Sequence, residues 1–280
     1  MFDPKAYWRQ LVSDSGLMSL EEVGHPDMGT AFNTEAYALR RGALIKALED
    51  TGCFPPASVF EAAFGVGYYL DVWRGLKCRS VAGIDISERA HAHAARAYPG
   101  YELCCGDISE LHQRGEWPGW LGRFQVVTAI DVLYHVVDDA LARKALQNLA
   151  ALVAPGGVIL FSEKFTPWST SYTECEHVVR RSLGWYTQIL SDLGFTLEKT
   201  RPIFWSMDPP VNYGGQFLSS RLAYLVWGTM RAAIKFLPRN GFSQNLLGRA
   251  AGRVGRTIDS AIVPMLRQTP NLTFAVYRKR

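Results

Sequence analysis

"SVFEAAFGVGYYLDVW", Ser58 to Trp73, runs from a strand-like apolar stretch through Gly65 and Gly67 into aromatic and apolar residues at helical spacing. A strand that ends in Gly-x-Gly and turns into a helix lets backbone approach a ligand that a side chain would exclude. It also aims the helix N-terminus at that ligand. Such a turn suits a nucleotide-like group, and the neighbouring residues narrow the choice. Glu61, at the end of the strand, would repel a pyrophosphate, whereas a ligand carrying an ammonium and a sulfonium tolerates it. The dinucleotide pattern Gly-x-Gly-x-x-Gly also fails, because its third small position is Leu70. Asp85, in "VAGIDIS", follows Gly65 by 20 residues, about where a carboxylate receives ribose hydroxyls.

Outward from this turn, apolar runs alternate with helical patterns, which predicts a parallel α/β sheet. Strands are expected at Ser58–Ala62, Ser80–Ile84, Glu102–Cys105, Phe124–Ile130, Val158–Ser162 and Phe195–Thr200, with a last one at Leu272–Tyr277. Asp138 or Asp139 can cap a helix that runs through Val153, with "APGG" at 154–157 stopping it before the fifth strand. Ser182 can cap the helix that Gly194 closes. Residues 1–50 read as two helices separated by "GHPDMG", the second starting at Asn33 or Thr34. Residues 213–268 read as two longer helices broken at "LPRNGFS". The expected organisation is an N-terminal helical cap (1–52), an α/β core (53–210 plus 270–280) and a helical insertion (211–269).

The 280 residues are 48% apolar and 20% charged, as in a soluble globular protein with a sizeable core. The N-terminus lacks a basic start followed by a long apolar run, so no signal peptide is expected. The five cysteines show no Cys-x-x-Cys spacing, which indicates neither a disulfide framework nor a zinc site. A reducing cytoplasm is the expected location. The net charge of +4 hides an asymmetry: residues 211–280 hold eleven Lys or Arg against one acid, Asp259. That basic insertion predicts a partner surface, a lid or a dimerising helical pair. Its run of nine apolar or small residues, Leu222–Met230, is too short to span a bilayer, which leaves peripheral contact with anionic headgroups or a lipid-linked acceptor as the sharper reading.

These motifs together resemble the class I S-adenosylmethionine-dependent methyltransferases, over about residues 55–205 plus the final strand. Glu61-Ala-Ala-Phe-Gly65-Val-Gly67 matches that family's acid-x-Gly-x-Gly-x-Gly turn, Asp85 its ribose-binding acid, and Asp107, in "CCGDIS", the acid that faces the adenine amine. "FQVVTAIDVLYHV" matches its fourth strand and "LVAPGGVILFSE" its fifth. The resemblance implies a Rossmann-like, seven-stranded, mostly parallel sheet whose last strand is antiparallel, with helices on both faces. It implies S-adenosyl-L-methionine as cofactor, held by Glu61, Ala63, Gly65, Gly67, Asp85, Ile86, Asp107, Ile108 and Asp131. Ala63 departs from the family, which has its first glycine there; a negative φ and an intact pocket are expected. The wider pattern is similar to uncharacterised bacterial members of the family associated with glycan assembly.

Methyl transfer to a hydroxyl needs a proton acceptor, and an imidazole suits that role. His135, after the fourth strand, and His177, on a long polar and aromatic loop after the fifth, are the candidates, and Glu163 at the end of the fifth strand is the carboxylate alternative. Tyr134, Trp168 and Arg180 are expected on the acceptor side, although a solvated helix start is the simpler reading of Arg180 and Arg181. No metal is expected, since Asp138 and Asp139 are more simply helix caps. "MDPPVNYGG" follows the sixth strand rather than ending the fourth, which makes its likeness to an amino-group methylation motif a false match. O-methylation of a saccharide or another small hydroxylated acceptor is the expected activity. Natural-product methylation, RNA methylation through the basic tail, and binding without catalysis stand as alternatives, nucleic acid being the disfavoured partner and a homodimer an open one.

Overall fold

The structure, a computed structural model, describes residues 6–8, 19–167, 171–211, 218–235 and 241–280. Seven strands form one sheet: β1 (Ser58–Ala62), β2 (Ser80–Asp85), β3 (Glu102–Cys105), β4 (Phe124–Ala129), β5 (Val153–Glu163), β8 (Phe195–Pro202) and β9 (Thr273–Lys279). Their order is β3-β2-β1-β4-β5-β9-β8. The pairs β1–β2, β1–β4, β2–β3 and β4–β5 are parallel. Strand β9 runs against β8: the Arg280 N–H reaches the Gly194 carbonyl while the Ile203 N–H reaches that of Leu272. Strands β1 and β4 are almost wholly buried, as strands in a sheet covered on both faces should be.

The chain forms two compact units. The first comprises residues 1–18, 47–200 and 275–280. Its core joins Phe60, Ile84, Phe124 and Phe161 from the sheet to Leu146 and Leu149 of helix α4 (Asp139–Leu152) and Tyr186 and Leu190 of helix α5 (Leu183–Asp192). Helices α2 (Tyr68–Gly75) and α3 (Glu88–Ala97) follow β1 and β2. Asp138 caps α4 through the Leu141 N–H at 2.9 Å, and Ser182 caps α5 through Trp185 at 3.1 Å, so both cap signals were readable. "APGG" does not separate helix from strand: α4 ends at Leu152 and β5 begins at Val153, with a register irregularity opposite Phe124 and Val126. Pairing with β4 overrides the local turn chemistry.

The segment after β5 also departs from the sequence reading. Strands β6 (Tyr172–Cys175) and β7 (Val178–Arg180) pair antiparallel, so His177 lies in the turn of a hairpin instead of on an open loop.

The second unit comprises residues 19–46 and 201–274. Helix α1 (Gly29–Asp50) starts four residues before Asn33. Asn33 lies inside the helix, where its amide bonds the Gly29 and His25 carbonyls at 2.9 Å and the His25 N–H at 2.8 Å. The two long helices of the insertion are α6 (Leu218–Lys235) and α7 (Gly241–Ile262). Gly248 and Gly252 allow the close approach expected of them: a side chain at Gly252 would lie 3.0 Å from Glu35, and one at Gly248 3.2 Å from the Met28 carbonyl. Among the described residues no helix is long and apolar enough to cross a membrane.

Candidate active site

The glycine turn is tied to the end of β2. The Gly65 N–H donates to Asp85 Oδ2 at 2.7 Å, the Ser87 N–H to Asp85 Oδ1 at 2.8 Å, and the Ala63 N–H to the Ile84 carbonyl at 2.7 Å. That turn places Ala63 at φ 55°, not at the negative φ expected. A left-handed alanine costs about 1–2 kcal/mol relative to a residue without a Cβ, a strain of the sort found at functional sites. Asp131, at the end of β4, is left-handed as well, at φ 58°.

Glu61 lies behind the turn, fully buried. Its Oε2 accepts from Trp73 Nε1 and Thr128 Oγ1, both at 2.7 Å, and burial pushes its carboxyl up to about 7. It braces β1 against β4 and α2. Gly67 faces protein too: a side chain there would meet the Tyr98 hydroxyl at 3.2 Å and its ring at 3.3 Å, and that hydroxyl donates to the Gly67 carbonyl.

In front of the turn lies a cavity of about 390 Å³, within the range of small-molecule sites. The ends of β1, β2 and β3 supply Ala63, Ile84, Asp85, Ile86, Gly106, Asp107 and Ile108. The segment after β4 supplies Val132, His135, Val136, Val137 and Asp138, and α4 adds Leu141. Trp8, from the N-terminal helical turn 6–8, completes the lining. Of the cofactor residues expected from sequence, this cavity gathers Ala63, Asp85, Ile86, Asp107 and Ile108; Glu61, Gly65, Gly67 and Asp131 support it from outside. The lining tests the cofactor. It holds three carboxylates and no Lys or Arg among the described residues, which suits a cationic ligand with hydroxyl and amine donors and disfavours a pyrophosphate. Asp85 is almost fully buried, and burial raises its carboxyl to about 6. Asp107 holds Ser109 through N–H and hydroxyl at 2.8 and 2.7 Å.

His135 shares this wall. Its Nδ1 lies 2.9 Å from the His177 carbonyl. A carbonyl only accepts, so Nδ1 carries the hydrogen and Nε2 keeps its lone pair. Burial, helped by the nearby Arg180 charge, pulls the imidazole down to about 3 despite the His177 contact, so it is neutral at ordinary pH. Trp8 packs edge-on against it at 4.8 Å, and the His177 ring stacks beside it at 5.7 Å. His177 touches Tyr7 and Cys175 and does not line the cavity. Both its carbonyl and its stacked ring contact His135, and the carbonyl is what fixes the tautomer.

Arg180 and Arg181 are buried, contrary to a solvated helix start. Arg180 binds Glu163 at 3.1 Å and Glu174 at 2.7 Å, with its guanidinium 4.2 Å from the centre of the Tyr134 ring. Glu163 also accepts from Tyr186 at 2.8 Å, and burial raises its carboxyl. Glu163 and Tyr134 therefore each engage Arg180, and none of the three lies on the cavity lining, where the sequence reading places them beside substrate. Asp131 is held through Ser162, whose Oγ takes the Asp131 N–H at 2.7 Å and returns a bond to Oδ1 at 2.6 Å. Trp168 lies outside the described residues. Sequence reasoning missed Arg181. Its Nη2 donates to the Val136 carbonyl at 2.8 Å, its Nη1 to that of Leu133 at 3.4 Å, and its Nε pairs with Asp139 at 2.7 Å. It clamps the segment that carries His135. Among the described residues, no group of three His, Cys, Asp or Glu is placed to hold a metal.

Strand order, glycine turn and cation-free acidic cavity are those of a class I S-adenosylmethionine-dependent methyltransferase. Residues 35–218 match the family model described as a methyltransferase domain, and the chain belongs to that family. A probable S-adenosylmethionine-dependent methyltransferase of Mycolicibacterium smegmatis is 28% identical over 150 residues, 52% of this chain and 54% of that protein. A ubiquinone biosynthesis O-methyltransferase of Coxiella burnetii is 33% identical over 86 residues, 29% of this chain and 33% of that protein. The match thus spans about half the length of the first relative and a third of the second. An N-methyltransferase from Bradyrhizobium japonicum, solved with S-adenosyl-L-homocysteine, shares the fold with a TM-score of 0.52 over 99% of both chains at 14% identity.

Proposed function

We propose that this protein methylates a hydroxyl of a small acceptor, a saccharide or another hydroxylated molecule, free or lipid-linked, with His135 taking the hydroxyl's proton. Bound S-adenosylmethionine would supply an electrophilic methyl group, whose bond to sulfur would break as the bond to the acceptor oxygen forms, leaving the neutral thioether of S-adenosylhomocysteine. Asp85 would receive the ribose hydroxyls and Asp107 the adenine amine, with Ile86 and Ile108 flanking the base. His135 holds the hydroxyl through Nε2 and takes its proton as the O–C bond forms. The hydroxyl becomes strongly acidic as its oxygen gains the methyl group, so even a weakly basic imidazole accepts its proton.

The observation that carries this reading is the His135–His177 contact on the cavity wall. It leaves an imidazole lone pair available in a site that otherwise offers only carboxylates to a proton. The likeness to an O-methyltransferase supports oxygen as the acceptor atom.

The test is release of S-adenosylhomocysteine against saccharides, phenols, amines and RNA. His135→Ala should lower turnover by about 10²–10⁴-fold while calorimetric affinity for S-adenosylmethionine stays near that of the wild type. Full turnover in His135→Ala would remove the base assignment, and methylation of amines alone would remove the hydroxyl.

A further inference from the structure

Helix α6 buries one apolar stripe and exposes another. Ala223, Trp227, Met230 and Ile234 are buried, and their spacing is one face of a helix. Leu222, Tyr224 and Leu225 lie outside that face, with Tyr224 61% and Leu225 65% exposed. Basic side chains edge this second stripe: Arg221, Arg231 and Lys235 are all exposed. The companion helix α7 also exposes apolar residues beside basic ones, Leu246 and Val254 next to Arg249 and Arg253.

The charge of this unit is lopsided. Residues 19–46 and 201–274 carry twelve Lys or Arg against six Asp or Glu. Two of the six acids are buried, Asp208 and Asp259. Asp259 is consumed in binding the N–H groups of Trp205, Ser206 and Met207 and the Ser206 hydroxyl. Asp27 is shared by Arg231 and Lys235, and Glu35 by Arg253 and Arg256, which leaves each pair with excess positive charge.

We propose that the outer faces of α6 and α7 bind a bilayer containing anionic lipid, with Leu222 and Leu225 entering the interface and the flanking arginines meeting headgroup phosphates. Leucines bracketed by basic residues on a helix too short to span are the pattern of an interfacial helix. A second copy of the chain is a poorer occupant, because a two-fold contact on this face would set arginine against arginine. RNA is poorer as well, since the face offers aliphatic side chains and one exposed tyrosine where base stacking needs several aromatic rings. The proposal deepens the lipid-linked arm of the function above, and its assay needs no turnover, so its failure leaves methyl transfer untouched.

The experiment is flotation with vesicles of phosphatidylcholine alone and of phosphatidylcholine mixed with phosphatidylglycerol. The wild type should bind the mixed vesicles and not the neutral ones, and added salt should weaken the binding. Leu222→Gln with Leu225→Gln should weaken it at least ~10-fold, and Arg221→Glu with Arg249→Glu by a similar factor. All four residues are exposed, so melting curves should be unchanged; if a variant unfolds, the wild type's neutral-versus-anionic contrast and salt response decide. Absence of binding to the mixed vesicles, or binding unaffected by both double substitutions, overturns the proposal. So does a dimer that dissociates in Leu222→Gln/Leu225→Gln while vesicle binding is absent.

Discussion

The two walls of the cavity are built differently. The wall at the ends of β1, β2 and β3 is backbone work over shorter separations. Asp85 is held by Ser87, two residues away, and by Gly65, 20 away, and Asp107 by Ser109, two away. The wall after β4 is held from a distance: His177 fixes His135 across 42 residues of sequence, and Arg181 reaches Val136 across 45. The first wall is a set of turns that fold with their own strands. The second takes its shape only when the β6–β7 hairpin docks, because His177 and Arg181 flank β7. The wall proposed to hold the cofactor is thus the more locally encoded, and the wall that carries the proposed base depends on tertiary packing.

The strongest way to break this contrast is at Arg181. Arg181→Met takes the Arg181 donor from the Val136 carbonyl, leaves the Leu133 carbonyl with the Val136 N–H alone and unpairs Asp139, which should cost about 2–4 kcal/mol in urea denaturation. Turnover should fall further than cofactor affinity does, and Arg181→Lys should recover only part of each. Equal losses of turnover and S-adenosylmethionine affinity would mean that the two walls are not separable.

Asp85 sharpens the other side. Burial raises its carboxyl to about 6, so the ionised form proposed to accept ribose hydroxyls is present above that pH and lost below it. Affinity for S-adenosylmethionine should be flat above about pH 7 and weaken roughly tenfold per unit below about pH 6. Asp85→Asn should bind more weakly at neutral pH with no such slope, as followed by calorimetry across the range. Folding stability responds with the opposite sign: between about pH 4 and 6 the folded protein binds this proton more tightly than the unfolded chain, so Asp85 costs stability as the pH rises. A slope that persists in Asp85→Asn would assign the titration to another group.

The smallest expected effect is at Ala63. Relieving its left-handed backbone with Ala63→Gly should stabilise the fold by about 1 kcal/mol at most, since glycine also gains freedom in the unfolded chain. Cofactor affinity should hold within about twofold. Destabilisation in a thermal melt would show that the Ala63 methyl group contributes packing that outweighs its backbone strain.

Much of this molecule could be read from the chain because its signals are local. β1 and β3 occur at the expected residues, Asp138 and Ser182 cap the expected helices, and the acids at 85 and 107 line the cavity. In each case hydrophobic periodicity, a cap or a turn residue acts over a few positions, and neighbouring residues suffice to state it. The misreadings share the opposite property. Glu61 matched a cofactor motif, yet its carboxylate is taken by Trp73 and Thr128 from two other elements. Arg180 and Arg181 look like a solvated pair at a helix start until a buried Glu163 and the carbonyls after β4 are packed around them. Sequence by itself determined the sheet, its glycine turn and the acids of the cofactor wall, because backbone geometry and side-chain period specify those from within one segment. Only the tertiary structure decided the tautomer of His135, the clamp of Arg181 and the left-handed strain at Ala63. Each depends on hydrogen bonds between segments that the chain brings together only after the strands have paired.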